Sequence, residues 1–181
     1  MTAVRHIPAR LESIRYQPDS IFFGFLFEDN SPLQGTTGLL DWRLLGQLSK
    51  LKIANQFSGK WGESLLVLPG NRVAADYVVL IGAGKKADFN KEINTGLLKQ
   101  MLQIARRLFA HHMVLSLPGR NENLISGEEA VSLFFETVPP LLPLPEEISF
   151  RIIDVFEVQS VVSAHLEQYH MQNAAPLVAP L

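Results

Sequence analysis

At 181 residues the chain has the size of one domain. Its 47% apolar content and 19% charge belong to a globular protein with a sizeable core and exclude a disordered or fibrous chain. A formal net charge of −2 argues against nucleic acid and anionic lipid as partners, and the absence of cysteine excludes disulfides, thiolate metal sites and cysteine nucleophiles. Met1 to Arg10 has no apolar stretch of the kind found in a signal peptide or anchor, and no apolar run is long enough to span a bilayer. A cytoplasmic protein without membrane contact is expected.

Leu11 to Tyr16 reads as a first strand, closed by Gln17-Pro18, and Ile21 to Phe27 as a second. The second is a near-continuous aromatic run, the mark of a strand buried on both faces. After the turn Glu28-Asp29-Asn30 and Pro32, the leucines 40, 44, 48 and 51 keep helical spacing, with Thr37 as a candidate N-cap. Ser64 to Leu68 and Val73 to Ile81 form an expected hairpin about Pro69-Gly70-Asn71-Arg72. A long amphipathic helix from about Asn90 to Ala110 follows, burying Ile93, Leu97, Met101, Ile104, Ala105 and Leu108. Next comes a short strand from Met113 to Leu117. Ser126-Gly127-Glu128-Glu129 is a capping box opening a helix through Ala130, Leu133, Phe134 and Val138, which Pro139-Pro140 stops. Pro139 to Pro145 reads as a stiff connector, Ile148 to Val155 as a strand and Glu157 to His170 as a closing helix. The stretch from 171 to 181 reads as a frayed tail. Alternating strands and helices predict a single α/β domain over residues 1–181, with a mixed, mostly parallel sheet covered by helices on both faces.

Three segments in this order resemble the N-terminal domain of the leucyl aminopeptidase family of metallopeptidases. The first is Pro32-Leu33-Gln34-Gly35 with the helix through Leu40-Asp41 and Leu48-Ser49. The second is Phe57-Ser58-Gly59-Lys60-Trp61-Gly62-Glu63-Ser64, similar to the family's F-x-G-K-x-G-E pattern. The third is Val78 to Lys86 with Asp88-Phe89 behind it, similar to the family's strand-to-helix element V-L-L-V-G-L-G-K. The resemblance implies a three-layer, macro-domain-like fold. It also implies that the peptidase chemistry belongs to a separate C-terminal domain, where two metal ions are held by a lysine and several carboxylates. Nothing here matches that domain's N-T-D-A-E-G-R-L motif; Asn94-Thr95-Gly96-Leu97 shares two letters with it and none of its acidic ligands. A two-metal hydrolase needs converging carboxylates to hold its ions and activate water. No catalytic residue carries over, and no cofactor or metal is expected.

Two glycine-rich turns are the candidate ligand sites. Gly82-Ala83-Gly84-Lys85-Lys86 stands at the C-terminal end of a strand, where ligands bind in open α/β sheets. Glycines let the backbone approach a phosphate, and the lysines supply charge. It nevertheless matches neither G-x-x-x-x-G-K-[ST] nor the three-glycine dinucleotide pattern. Gly35-Thr36-Thr37-Gly38, after Gln34, presents a helix start with two hydroxyls. Each competes with a plain structural turn.

The pair His111-His112 points to opposite faces of a strand, so the two cannot share one metal. His165, His170, Arg106 and Arg107 read as surface residues. Trp42 and Trp61 read as packing residues, and Asp41, Glu63 and Asp76 as capping or solvated groups without a nucleophile partner. The expected function is a non-catalytic, free-standing relative of the aminopeptidase N-terminal domain. It would act in protein association or regulation, as a homo-oligomer or with a separate catalytic chain of that family. The alternative is a module binding a nucleotide or ADP-ribose-like molecule at the two glycine turns. A DNA-binding accessory role meets no basic stripe here.

Overall fold

The computed structural model describes residues 3–15, 20–73, 75–142, 148–155 and 158–173. Its elements in chain order are β1 (Ala3–Pro8), α1 (Leu11–Arg15), β2 (Ile21–Leu26), α2 (Gly35–Arg43), α3 (Gln47–Ile53), β3 (Ser64–Val67), β4 (Tyr77–Gly82), α4 (Lys91–Arg107), β5 (His112–Leu115), α5 (Gly127–Thr137), β6 (Ser149–Asp154) and α6 (Val158–Asn173).

The six strands form one sheet in the order β1-β6-β5-β2-β4-β3. Five are parallel, and β3 runs antiparallel against β4, with Leu66 opposite Val79. Central β2 explains the layering. Successive side chains of a strand point to opposite faces. Ile21, Phe23 and Phe25 therefore enter the core shared with α4, α5 and α6. Phe22 and Leu26 enter the core shared with α1, α2 and α3. β4 divides likewise, Val79 and Ile81 on one face and Val78 and Leu80 on the other. Both faces are dry, so the aromatic run shows no polar alternation. The expected three-layer α/β architecture is what the chain adopts.

The helix caps follow local chemistry. Asn90 accepts a hydrogen bond from Ile93 N at 2.9 Å to start α4, and Ser126 accepts one from Glu129 N at 3.1 Å to start α5. The hairpin forms, although β4 begins at Tyr77 rather than Val73, because Gly70–Arg72 coils into a turn of 3-10 helix. The connector opens with a further 3-10 turn at Pro139–Leu141, and 143–147 lie outside the described residues, as does the tail from 174.

Three expectations fail. Leu11 to Tyr16 is no strand: Leu11–Arg15 is helix α1, whose turn seats Ile14 in the core beside α2, and Tyr16 lies outside the described residues. The edge strand is instead β1, in the basic N-terminal stretch; Val4 docks it to one core and Ile7 to the other, so little apolar sequence is needed. The leucine stripe spans two helices, not one. Leu45 (φ 56°) and Gly46 (φ 75°) break it, and the Asp41 carboxylate restarts it by accepting from Leu48 N (2.8 Å), Ser49 N (3.2 Å) and the Ser49 hydroxyl. Finally, Thr37 is not the cap of α2. That position is Gln34, whose carbonyl accepts the Thr37 hydroxyl at 2.9 Å.

Phe134 on α5 is fully buried and meets Phe150 and Phe135 edge-to-face, at 5.3 and 5.5 Å between ring centres. Phe134→Ala is expected to cost roughly 3–5 kcal/mol, read as a matching fall in stability by urea titration with an unchanged m-value.

Candidate functional site

The carboxyl ends of β2, β4 and β5 open onto three loops, 27–34, 83–90 and 116–126, the place where open α/β sheets bind ligands. Both glycine turns lie here, yet each is engaged by the protein itself. At Gly82 an added Cβ would stand 1.9 Å from the Lys60 carbonyl oxygen, so segment 57–63 packs directly on the turn. Gly82 N donates to Glu63 O at 2.8 Å. Gly84, in the left-handed region at φ 76°, donates to Gly59 O at 2.9 Å.

The Glu63 carboxylate holds that segment. One oxygen, Oε2, accepts from Gly59 N (2.8 Å), Ser58 N (2.9 Å), the Ser58 hydroxyl (2.9 Å) and Lys60 N (3.2 Å). Desolvation pushes its pKa up, but the Ser58 hydroxyl and these amides outweigh it and hold the group below the usual glutamate range. Trp61 lies over Gly96 of α4, where a Cβ would come within 2.6 Å of the indole. The F-x-G-K-x-G-E pattern is thus a clamp around the β4 turn.

The second turn is closed from the opposite side. Asn121 Oδ1 accepts from Thr36 N at 2.9 Å and from the Ser116 hydroxyl at 3.2 Å, which puts a side-chain oxygen where an anion would meet the start of α2. Gly35 (φ 55°) leaves no room for a Cβ, which would sit 2.3 Å from Asn121 Oδ1; Gly38 is pressed against the Leu33 carbonyl. Thr36 and Thr37 are buried. Lys85 is exposed, and Lys86 is half-buried with its amide on Asp29 Oδ1 at 3.2 Å.

Between the turns lies a charged cluster absent from the sequence reading. Lys52 Nζ, reaching over from α3, donates to Asn30 O (2.7 Å) and Phe27 O (2.8 Å). Desolvation lowers the Lys52 pKa, with Lys86 adding to the effect and Asp29, Glu122 and Glu28 opposing it. Asn30 is fully buried; its amide donates to Glu122 Oε1 at 2.7 Å, while its own Oδ1 has no hydrogen-bond partner among the described residues. Burial pushes Glu122 up to about 7; Asp29 adds to the rise, and Lys86 and Lys52 work against it. Nothing local marks Lys52, Asn121 or Glu122, because Asn30 and Thr36, which they hold, lie far from them in the sequence.

The remaining candidates scatter. Asp41 is a cap and Glu63 a clamp, whereas Asp76 is exposed near the opposite end of the sheet, its amide on Ser20 O. Trp42, expected to pack, is 66% exposed. His112 shares a 2.7 Å hydrogen bond with the Ser149 hydroxyl, and His111 is exposed. His165, expected at the surface, is half-buried, because its ring stacks on Phe135 with centres 5.7 Å apart; the side chain of His170 is outside the description. Arg106 and Arg107 are exposed as expected, Arg106 donating to Leu141 O. Asn94 is buried in α4, bonded to Pro118 O at 3.3 Å. Among the described residues no group of three or more histidines and carboxylates is placed to hold a metal ion.

Residues 23–138, well over half of the chain, match the cytosol aminopeptidase family, N-terminal domain. The chain belongs to this family. It is 30% identical over 90 residues to a probable cytosol aminopeptidase of Sulfurihydrogenibium and 27% identical over 111 residues to one of Synechocystis. These matches take in 50% and 61% of the chain but only 18% and 22% of the relatives, about a fifth of their length. In three dimensions it resembles a tomato leucine aminopeptidase variant (TM-score 0.60, 15% identity, 92% of this chain and 36% of that one). It resembles equally a macrodomain of Oceanobacillus iheyensis with ADP (TM-score 0.67, 10% identity, 88% of each chain). A Trypanosoma brucei macrodomain in complex with ADP also superposes (TM-score 0.67, 10% identity, 91% of this chain and 69% of that one). At such identities these likenesses establish the macro-domain-like fold of the family's N-terminal domain, as the motifs implied. No helix among the described residues is long and apolar enough to cross a membrane.

Glu122 titrates higher in the folded chain than the ordinary 4.5, so folding favours its protonated form. The cost of burying the carboxylate is absent below pH 4.5 and grows until the pH passes about 7. Glu122→Gln keeps the acceptor for Asn30 without the charge. Its melting temperature is expected to match the wild type near pH 4.5 and to exceed it by several degrees above pH 7, in melts across that window.

Proposed function

We propose that this chain is a non-catalytic association module of the aminopeptidase N-terminal type, working in the cytoplasm by holding another protein chain rather than by turning over a substrate. The observation that carries this reading is the self-satisfaction of the strand-end crevice. Asn121 occupies the amide at the start of α2, Asp29 that of Lys86, and Glu63 those of Ser58, Gly59 and Lys60. An anionic ligand would have to displace these side-chain oxygens, each already well placed. The match of residues 23–138 to the family's N-terminal domain supports the aminopeptidase N-terminal type of the module.

A second reading has its own support. Two macrodomains that share the fold are complexes with ADP, and the fully buried Asn30 Oδ1, on the loop that leads from β2 to the Gly35 turn, is without a hydrogen-bond partner among the described residues. On this reading Gly35, Thr36, Thr37 and Gly38 face one side of a nucleotide or ADP-ribose-like molecule, and Gly82, Gly84, Lys85 and Lys86 the other.

One pair of measurements separates the two. In a melt against ADP and ADP-ribose, a ligand at about a hundred times its Kd adds roughly 2.7 kcal/mol, or roughly 5–10 °C for a domain of this size. The expected result is no shift with either. In the same buffer, light scattering is expected to give more than one chain per particle, alone or mixed with a cytosol aminopeptidase catalytic chain. A ligand shift abolished by Lys86→Ala, with a strictly monomeric mass both alone and in the mixture, overturns the association reading in favour of the second.

A further inference from the structure

The opposite end of the sheet carries a feature that neither glycine turn explains. Helix α4 stops at Arg107, and after the cap residue Leu108 the chain turns back with Phe109 N on Arg106 O (3.2 Å) and Ala110 N on Ala105 O (2.9 Å). This turn puts Phe109 in the left-handed region at φ 52°, a position that favours glycine. Its ring is 85% exposed, the most of any large apolar side chain described. A strained backbone and an exposed phenyl ring are two local faults at one residue, and such faults gather where a surface has work to do.

The surroundings make the patch self-complementary. Phe109, Ala110 and His111 form a ridge between two hollows of about 500 and 510 Å3. Leu102, Ala105 and Met113 floor the first, and Ile21, Tyr77 and Leu108 the second. Volumes in this range take a ring with room to spare. The hollow beyond one flank holds Arg106, and the hollow beyond the other holds Asp76. Knob, hollow and both signs of charge thus lie on one surface, as an isologous contact requires.

We infer that Phe109 anchors a two-fold contact between two copies of this chain. The inference rests on the association reading and names its surface and partner. Each Phe109 enters a hollow beside the ridge of the other copy. Rotation about the ridge exchanges its two flanks, so Arg106 of each chain comes to Asp76 of the other. The complementary charges fix the orientation of the pair, and the ring, desolvated at the centre, holds it.

Sedimentation of the full chain over a concentration series is the test, with Phe109→Gly as the principal variant. Glycine relieves the positive φ, so the variant is expected to melt no lower than wild type at dilutions where both are monomers, while its dimer Kd rises by about 30-fold or more, as for a hot-spot residue. Arg106→Glu or Asp76→Arg alone is expected to weaken the dimer, and the double variant to restore it. A wild-type dimer whose Kd ignores Phe109→Gly overturns this contact but leaves the association reading standing. A monomer at every concentration that still assembles with an aminopeptidase catalytic chain does the same. A monomer that assembles with neither overturns both.

Discussion

The carboxylate of Glu63 organises much of this domain. A single oxygen gathers the amides of Ser58, Gly59 and Lys60, which curls segment 57–63 into a compact loop and pins it to the end of β4. The Lys60 carbonyl then fills the space a side chain at 82 would take, and the Gly59 carbonyl receives the amide of Gly84. Through these contacts the entry to α4 is set, and Trp61 is laid across Gly96. An anion inside the protein has done what a bound phosphate does elsewhere: it satisfies a run of backbone donors near a strand end. The same substitution recurs at α2, where Asn121 supplies the oxygen. A fold that elsewhere accompanies bound ADP is here stitched across its crevice by its own side chains.

Lys52 extends this economy to positive charge. Its ammonium sits on two carbonyls at the turn after β2, with Asp29, Glu122 and Glu28 around it. Since α3 carries Lys52 and β5 leads to Glu122, the cluster ties a helix on one face and the loop after β5 to the loop after β2. The charged groups are mutually dependent. A half-buried ammonium is tolerable because carboxylates are near, and one of those carboxylates is held partly protonated because burial outweighs the lysines.

What was legible in the sequence follows from how local each cause is. Phe22 to Phe27 announced a strand buried on both faces, and Ser126 announced a helix start, because strand burial and capping act within a few residues. Leu11 to Tyr16 misled because six residues are too few to show a period. β1 stayed hidden because an edge strand needs little apolar surface. The break between α2 and α3 was masked by leucines that keep their spacing across it, since the cap comes from Asp41, which lies back in α2 rather than beside the start of α3. At the crevice both glycine turns were found, but Asn121, Glu122 and Lys52 were not. Their importance lies in partners 22 to 92 residues away, and no spacing rule reaches that far.

The two margins of the sheet bear on how such chains meet. β3 offers only four residues to a newcomer, and β1 displays the exposed Arg5 among its six. Short or basic margins are poor templates for an added strand. A neighbour that tried to prolong the sheet would find little backbone to grip and positive charge in the way. The architecture therefore steers encounters away from open-ended strand stacking, which leads to fibres.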